Sequence, residues 1–395
     1  MSKIKLASPS LCTGCHSCSS ICPSSSIKMQ YDKYGFLSPN IIKNSCVQCH
    51  LCEKTCPIIS PKRRDNHEQP RVFSSIVSDA GIRQESTSGG AFWSFASYVI
   101  SKGGVVFGVI IEGTHVRHSY TETLENLHAF MGSKYVQSEI GDSYKEVKSF
   151  LKKDRIVMFT GTPCQVAGLR CFLQKDYSNL LTIELLCRGV PSPRVWEKYI
   201  NEKLIKLRGH EIKDIRFRTK SPQYTSPVFS YVLRFSYLDE TNCWKEFWED
   251  CIRNPFFSYF LHHNFRSSCY QCQFRNPYSS GADITIGDAI SDSRFGAEGD
   301  NNVSTIVIHT PKGEEALCHI NNQIQVEEVE LSVLEKSFRS STEIAYRDRL
   351  LRPWKLSNRL ALMFPLENVR RIYEYTPYSI RSFNFLKRLI KRQTL

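Results

Sequence analysis

The 395-residue sequence has no apolar run of about 18 residues or more, which excludes a membrane-spanning helix on hydropathy. Its opening residues, Met1 to Leu6, lack the apolar stretch of a secretory leader, and Cys12 follows too soon for one to fit. A cytoplasmic chain is expected. No Gly-x-Gly-x-x-Gly follows a strand-like segment, so a Rossmann dinucleotide site is not supported. No nucleic-acid recognition motif accompanies the net charge of +13, so nucleic acid is not an expected partner. With 41% hydrophobic and 23% charged residues the composition is that of a globular protein of two or three domains.

What the sequence has in excess is cysteine, sixteen in all. Clustered Cys-x-x-Cys spacing without a leader points to metal in a reducing compartment and away from disulfides. Cys12-x2-Cys15-x2-Cys18-x3-Cys22-Pro23 and Cys46-x2-Cys49-x2-Cys52-x3-Cys56-Pro57 both match the spacing of bacterial two-cluster 4Fe-4S proteins. In that pattern three close cysteines hold one cube and the fourth reaches the other. One cluster should therefore take Cys12, Cys15, Cys18 and Cys56, and the second Cys46, Cys49, Cys52 and Cys22. Zinc also uses Cys-x-x-Cys pairs but has no need of the doubled run of four plus proline. His16 and His50 are expected to shape the loops rather than bind iron.

The organisation is read as α+β: a bacterial-ferredoxin (βαββαβ-like) module over 1–60, a polar linker over 61–70, a mixed α/β domain over 71–320, and a mainly helical, basic region over 321–395. Ile27 to Leu37 reads as short strands around a turn at Gly35. Arg155 to Thr160, a helix over Cys164 to Gln174, and Leu180 to Leu186 form a βαβ crossover. Strands are also expected at Val72 to Val77, Gly104 to Ile111, Asp283 to Gly287 and Ser304 to His309, with antiparallel strands and aromatic loops over 210–260.

The crossover places Cys164 and Cys187 at the carboxyl edge of adjacent parallel strands. Cys164 opens a helix, where unpaired N–H groups and the dipole favour a thiolate. Cys269-x2-Cys272 supplies a further pair, and four thiols are what a third 4Fe-4S cube needs. The plain alternative is that Cys164 and Cys187 are core residues and Cys269 with Cys272 a stray pair. Cys171, Cys243, Cys251 and Cys318 are left as core or surface thiols. Clusters pass single electrons whereas most organic substrates exchange two, so a flavin is expected beside them. Ser88-Gly89-Gly90, the Gly132 to Ser138 segment (Ser133, Lys134, Tyr135, Gln137, Ser138) and Thr160-Gly161-Thr162 offer N–H groups, hydroxyls and a lysine for phosphates. Ser-Gly-Gly serves equally as a plain N-cap and turn.

Ser88-Gly-Gly, Gly132-Ser-Lys-Tyr-Val-Gln-Ser, Phe159-Thr-Gly-Thr-Pro-Cys-Gln-Val-Ala-Gly-Leu, Cys187-x-Gly-Val-Pro-Ser-Pro, Phe217-Arg-x-Lys and Asp283-Ile-Thr-Ile-Gly-Asp together resemble the coenzyme F420 hydrogenase/dehydrogenase beta-subunit family, preceded by a ferredoxin module. The resemblance covers residue 1 to about residue 320. It implies a fold carrying FAD and a 4Fe-4S cluster that moves electrons between clusters and a deazaflavin. Chlorophyll-modifying reductases with related domains use reduced ferredoxin to reduce an organic substrate. By this likeness Ser88 to Gly90, Gly132 to Ser138 and Thr160 to Thr162 surround FAD, and Cys164, Cys187, Cys269 and Cys272 hold the nearby cluster. The sequence departs from the family at Gly287-Asp288-Ala289-Ile290, where an aromatic and a glycine commonly follow Gly-Asp, and at Cys187-Arg188-Gly189, where Cys-His-Gly is common.

The expectation is an iron–sulfur flavoprotein oxidoreductase working between a one-electron carrier and a two-electron substrate such as reduced coenzyme F420 or an organic molecule. The rival is a non-catalytic electron-transfer subunit relaying to a separate enzyme, a form also met in surface-polysaccharide gene neighbourhoods. A third is a C-terminal domain without cofactor that acts in assembly. Residues 351–395 hold ten Lys or Arg against two acids, +8 in total. Ile380 to Arg392 has an amphipathic helical pattern that suits either a solvated terminal helix or peripheral contact with anionic lipid at the inner membrane face.

Overall fold

The computed structural model describes residues 4–62, 70–220, 232–250, 264–274, 280–289 and 303–330, together with 359, 361–363 and 366. The basic segment from Ile380 and the linker core at 63–69 lie outside the described residues.

Within residues 4–62 the only sheet among the described residues is a hairpin of β1 (Ile27–Tyr31) and β2 (Leu37–Ile41), flanked by the one-turn helices Ser17–Ile21 and Leu51–Lys54. The turn forms where expected: Asp32 Oδ1 accepts from the N–H groups of Tyr34 and Phe36, and Gly35 takes φ +80°. The outer strands of the expected βαββαβ layout do not form among the described residues.

The main domain is built on an eight-stranded sheet of order β13-β3-β12-β11-β7-β6-β4-β5. These strands are β3 (Arg71–Val77), β4 (Val105–Glu112), β5 (His115–Thr121), β6 (Val157–Gly161), β7 (Leu180–Leu185), β11 (Ile284–Asp288), β12 (Ser304–Ile308) and β13 (Ile324–Val329). β4, β6, β7 and β11 run parallel. Their near-continuous apolar runs follow from burial on both faces. Val105, Phe107, Val157 and Phe159 point into a core closed by the helices Ser143–Lys152 and Pro163–Leu173. The intervening Val106 and Met158 point to the opposite core, under the helices Ala91–Ser101 and Pro311–His319.

A second, three-stranded antiparallel sheet, β10 (Trp244–Asp250), β9 (Val232–Asp239), β8 (Gly209–Arg216), packs with the helix Pro193–Leu207 through Trp196, Tyr199, Phe217 and Phe235. After Pro311 the described residues depart from the helical expectation at one strand, residues 359, 361–363 and 366 are helical, and the rest of 331–395 lies outside the described residues. One helix, Pro311–His319, leads into β13, which pairs with β3 and lies beyond residue 320.

Candidate functional site

The two ferredoxin loops fold alike. Gly14 and Gln48, and His16 and His50, sit at equivalent positions, and all four have φ between 52° and 66°. These left-handed residues curl each loop so that its three thiols face inward, giving the histidines the shaping role expected of them. Cys12, Cys15, Cys18 and Cys56 line one hollow, and Cys22, Cys46, Cys49 and Cys52 line another. The fourth cysteine of each motif has crossed to the other's site.

The third set also converges. Gly161 of β6 lies opposite Glu184 of β7, so the loops bearing Cys164 and Cys187 leave the sheet side by side. Gly189 has φ +136°, and a Cβ there would meet the Phe265 ring at 2.7 Å, so only glycine lets this loop close on the Phe265 segment. A Pro191–Phe265 bridge and the bond from Arg266 N–H to Val190 O join the two segments. Cys269 and Cys272 thereby reach Cys164 and Cys187 around one hollow. Cys171 is buried, Cys243 and Cys318 are exposed, and Cys251 lies outside the described residues.

The donor chemistry fits iron–sulfur cubes. Each hollow is lined by four thiols, the donor set that a 4Fe-4S cube takes. The helix start does not make Cys164 a ready thiolate, contrary to expectation. Burial, then the neighbouring Cys272, push its thiol up to about 11, outweighing the Thr162 hydroxyl 3.2 Å away. Cys187 rises through burial, then Cys269 and Cys164. Such thiols ionise together only around a cation. Thr13 lines both the first and third hollows, and its buried hydroxyl has no hydrogen-bond partner among the described residues, as suits a donor to cluster sulfur.

Arg266, which the sequence reading did not single out, joins the ferredoxin module to the main domain. Its side chain is buried and its five donors are all used. Nε donates to Cys12 O (2.7 Å), Nη1 to Leu37 O (2.9 Å) and Gln137 Oε1 (3.0 Å), and Nη2 to Ser38 Oγ (3.0 Å) and Cys12 Sγ (3.9 Å). None of these partners is a carboxylate. A buried guanidinium without one is costly unless a negative group lies beside it, and thiolate-bound iron in the first hollow is such a group. Gln137 completes the joint by donating from Nε2 to Thr13 O (2.9 Å). A Cβ on Gly14 would lie 2.7 Å from Arg266 Nη1. The only sequence signal was an arginine three residues before Cys269.

The flavin candidates divide into two groups. Gln137, Ser138, Thr160, Gly161 and Thr162 belong to a packed belt between the sheet edge and the ferredoxin module. Ser138 Oγ pairs with His118 Nδ1 (3.1 Å), His118 Nε2 with Thr160 O (3.2 Å), and Gln165 Nε2 donates to Ser138 Oγ (3.0 Å). Thr162 caps its helix through a reciprocal bond with Gln165. Burial holds His118 down to about 4, so it is neutral.

Ser88, Gly89, Gly90, Ser133, Lys134 and Tyr135 lie together elsewhere. Gly90 (φ +92°) opens the helix Ala91–Ser101, Gly89 N–H donates to Ser304 Oγ, and Ser133 N–H donates to Thr87 Oγ1. Cations gather around them. Lys220 Nζ donates to Ser88 O (3.0 Å), Arg218 reaches Tyr135 Oη and Asp288, Arg216 donates to Met131 O, and Lys134 to Ala129 O and Met131 O. Burial, then Arg216, lower Lys134 to about 7; burial, then Arg218 and Arg83, lower Lys220 to about 8. Burial and crowding penalise the charge on both lysines, and a phosphate placed beside them would relieve that penalty. Leu186, next to Cys187, packs where a Cβ on Gly287 would lie, which sets the third hollow and this cation cluster on neighbouring parts of one sheet edge.

Fold and thiol sites together define an iron–sulfur electron-transfer protein. Residues 11–58 match the 4Fe-4S dicluster domain, and residues 154–333 match the C terminus of the coenzyme F420 hydrogenase/dehydrogenase beta subunit. The chain thus joins a 4Fe-4S dicluster module to a domain similar to the C terminus of the coenzyme F420 hydrogenase/dehydrogenase beta subunit. Among solved structures it is similar to a chain of the xenon-derivatised F420-reducing [NiFe] hydrogenase complex from Methanosarcina barkeri, at 14% identity and a TM-score of 0.45 over 73% of this chain and 94% of that one. No curated protein matches it. Among the described residues no helix is long and apolar enough to cross a membrane.

Proposed function

We propose that the protein is an iron–sulfur flavoprotein oxidoreductase passing electrons between a one-electron carrier, three 4Fe-4S clusters and FAD, with reduced coenzyme F420 or an organic molecule as the two-electron substrate. The observation that carries this reading is the third thiol hollow. It shares Thr13 with the first, and its Cys187 loop adjoins the strand end bearing Asp288 and its cation cluster. Ser88, Gly89, Gly90, Ser133, Lys134 and Tyr135, with Arg216, Arg218 and Lys220, would hold the flavin phosphates; the backbone N–H groups of the first segment suit oxygens and the cations suit their charge. The belt of Gln137, Ser138 and Thr160 to Thr162 would separate flavin from water on the ferredoxin side. FAD, when bound, exchanges one electron with clusters and two with organic substrates.

Iron and flavin analysis tests the proposal. Three cubes and one flavin correspond to about twelve irons and one FAD per chain, and Cys164→Ser should remove about four of those irons. About eight irons with no flavin, unchanged in Cys164→Ser, would sink it. The family match is to a subunit, which favours a second reading in which the chain relays electrons to a partner enzyme. Turnover of reduced F420 by the purified chain alone decides between the two.

A further inference from the structure

The second thiol hollow lies at the surface, and what surrounds it is specific. Cys49 is exposed, Val47 is 64% exposed and Ile42 is 43% exposed, so an apolar pair stands beside a ligand thiol. No thiol of the first hollow is exposed, and Thr13, Gly14, Cys15 and His16 beside it are buried. Around the second hollow cations predominate. Lys5 follows the lining residue Ile4, Lys43 lies between Ile41 and Cys46, Lys54 lies two residues after Cys52, and all three lysines are exposed.

Acids are scarce there. Residues 4–62 contain six lysines and two acids, 6 − 2 = +4. Glu53 is tied to His50 Nδ1 at 2.7 Å and to the Lys5 N–H. Asp32 caps the hairpin turn away from this rim.

We infer that the rim formed by Ile42, Lys43, Val47, Cys49 and Lys54 is the docking face for an acidic one-electron carrier protein. The inference rests on the reading that this chain exchanges electrons with a soluble carrier, and deepens it by naming the face and the sign of the partner's charge. Ile42 and Val47 give a small desolvated centre next to the thiol, and the lysines steer an acidic face onto it. Each encounter moves one electron from the carrier, which is oxidised, to the Cys22, Cys46, Cys49 and Cys52 centre, which is reduced. No bond or proton changes hands.

The test is stopped-flow reduction of the full-length, cluster-loaded protein by a pre-reduced acidic bacterial-type ferredoxin across a salt series, with 5-deazariboflavin photoreduction as a neutral small-molecule control. The Lys43→Glu/Lys54→Glu double variant should slow the bimolecular rate about tenfold at low salt and flatten its salt dependence, since steering by such charges governs association. Photoreduction should be unchanged. Val47→Glu should slow the ferredoxin reaction as well and leave photoreduction intact.

A carrier rate that is indifferent to the charge reversal, or that rises with salt in the parent protein, overturns the docking face. A parent that self-associates through this rim, with self-association lost in Val47→Glu, overturns it in favour of a second copy. Failure of the wider reading would look different: photoreduction would bleach the clusters without a flavin signal, while the effect of Lys43→Glu/Lys54→Glu on the carrier rate would still be measurable.

Discussion

Removing the charge of Arg266 should lower the potential of the cluster held by Cys12, Cys15, Cys18 and Cys56. The guanidinium stands 3.9 Å from Cys12 Sγ, is buried, and has no carboxylate among its partners. At that separation and an effective dielectric of roughly 20, two unit charges interact by about 4 kcal/mol. An added electron spread over a cube lies farther away than Cys12 Sγ, which reduces this to ~2 kcal/mol, or ~90 mV for a one-electron couple. In Arg266→Gln an EPR-monitored redox titration should show the first cluster shifted down by that amount, with the second cluster held within a few tens of millivolts. Arg266→Lys keeps the charge and loses the five-donor fork, so it should restore most of the potential but little of the stability. Thermal unfolding of both variants should fall by several degrees through loss of the joint to Leu37, Ser38 and Gln137. A full-iron Arg266→Gln protein with an unshifted first cluster would refute the electrostatic role. Equal shifts in Gln and Lys variants would assign the effect to geometry alone.

Two further outcomes follow from single side chains. Gly189→Ala puts a Cβ 2.7 Å from the Phe265 ring at a backbone φ of +136°, so the Cys187 loop must move off the Cys269 segment. Iron analysis should show about four irons lost with both ferredoxin clusters kept, and unchanged iron would contradict the role given to this closure. Glu184 is buried on β7, and burial raises its carboxyl to about 8 despite hydroxyl donors from Ser280 and Thr285. Its folded value lies above its unfolded one, so its contribution is fully present below pH 4.5 and is lost as pH rises through 8. Unfolding midpoints of the parent should therefore fall from pH 6 to pH 8 more steeply than those of Glu184→Gln, and parallel profiles would refute the buried neutral acid.

The parts of the fold that sequence patterns revealed are those fixed by short-range chemistry. Paired Cys-x-x-Cys runs, the Asp32 to Gly35 turn and the apolar runs of β6 and β7 each state their geometry within a few residues. Ile324 to Val329 carried a period-two signal, Ile324 and Val326 inward against Gln325 and Glu327, that a general expectation of helix overrode. The outer ferredoxin strands were inferred from the motif's usual setting, and no local pattern required them. Arg266 was illegible for a different reason. Its partners lie 129 to 254 residues away, and an arginine in an exposed loop reads the same as one buried against a thiol until the chain has closed. Cys164 shows a comparable limit: its helix start was visible, but the burial that outweighs the dipole belongs to the tertiary structure.

The exposure gradient across the three hollows gives Arg266 a reason to exist. Reduction adds negative charge, and burial penalises charge, so an enclosed cluster is harder to reduce than one at the surface unless something compensates. The second hollow meets water at Cys49, whereas the first has no exposed thiol and stands next to the third through Thr13. On the proposed reading, an electron arriving at the surface crosses the first position to reach the main domain. Without a fixed positive charge that position would be an uphill step; the buried guanidinium beside Cys12 supplies the charge at the place where solvent cannot. The same residue that binds the two modules together thus levels the path between them. A rearranged interface in Arg266→Gln should slow transfer inward while leaving reduction of the outer cluster at its parental rate, a split visible in the separate phases of a single stopped-flow trace.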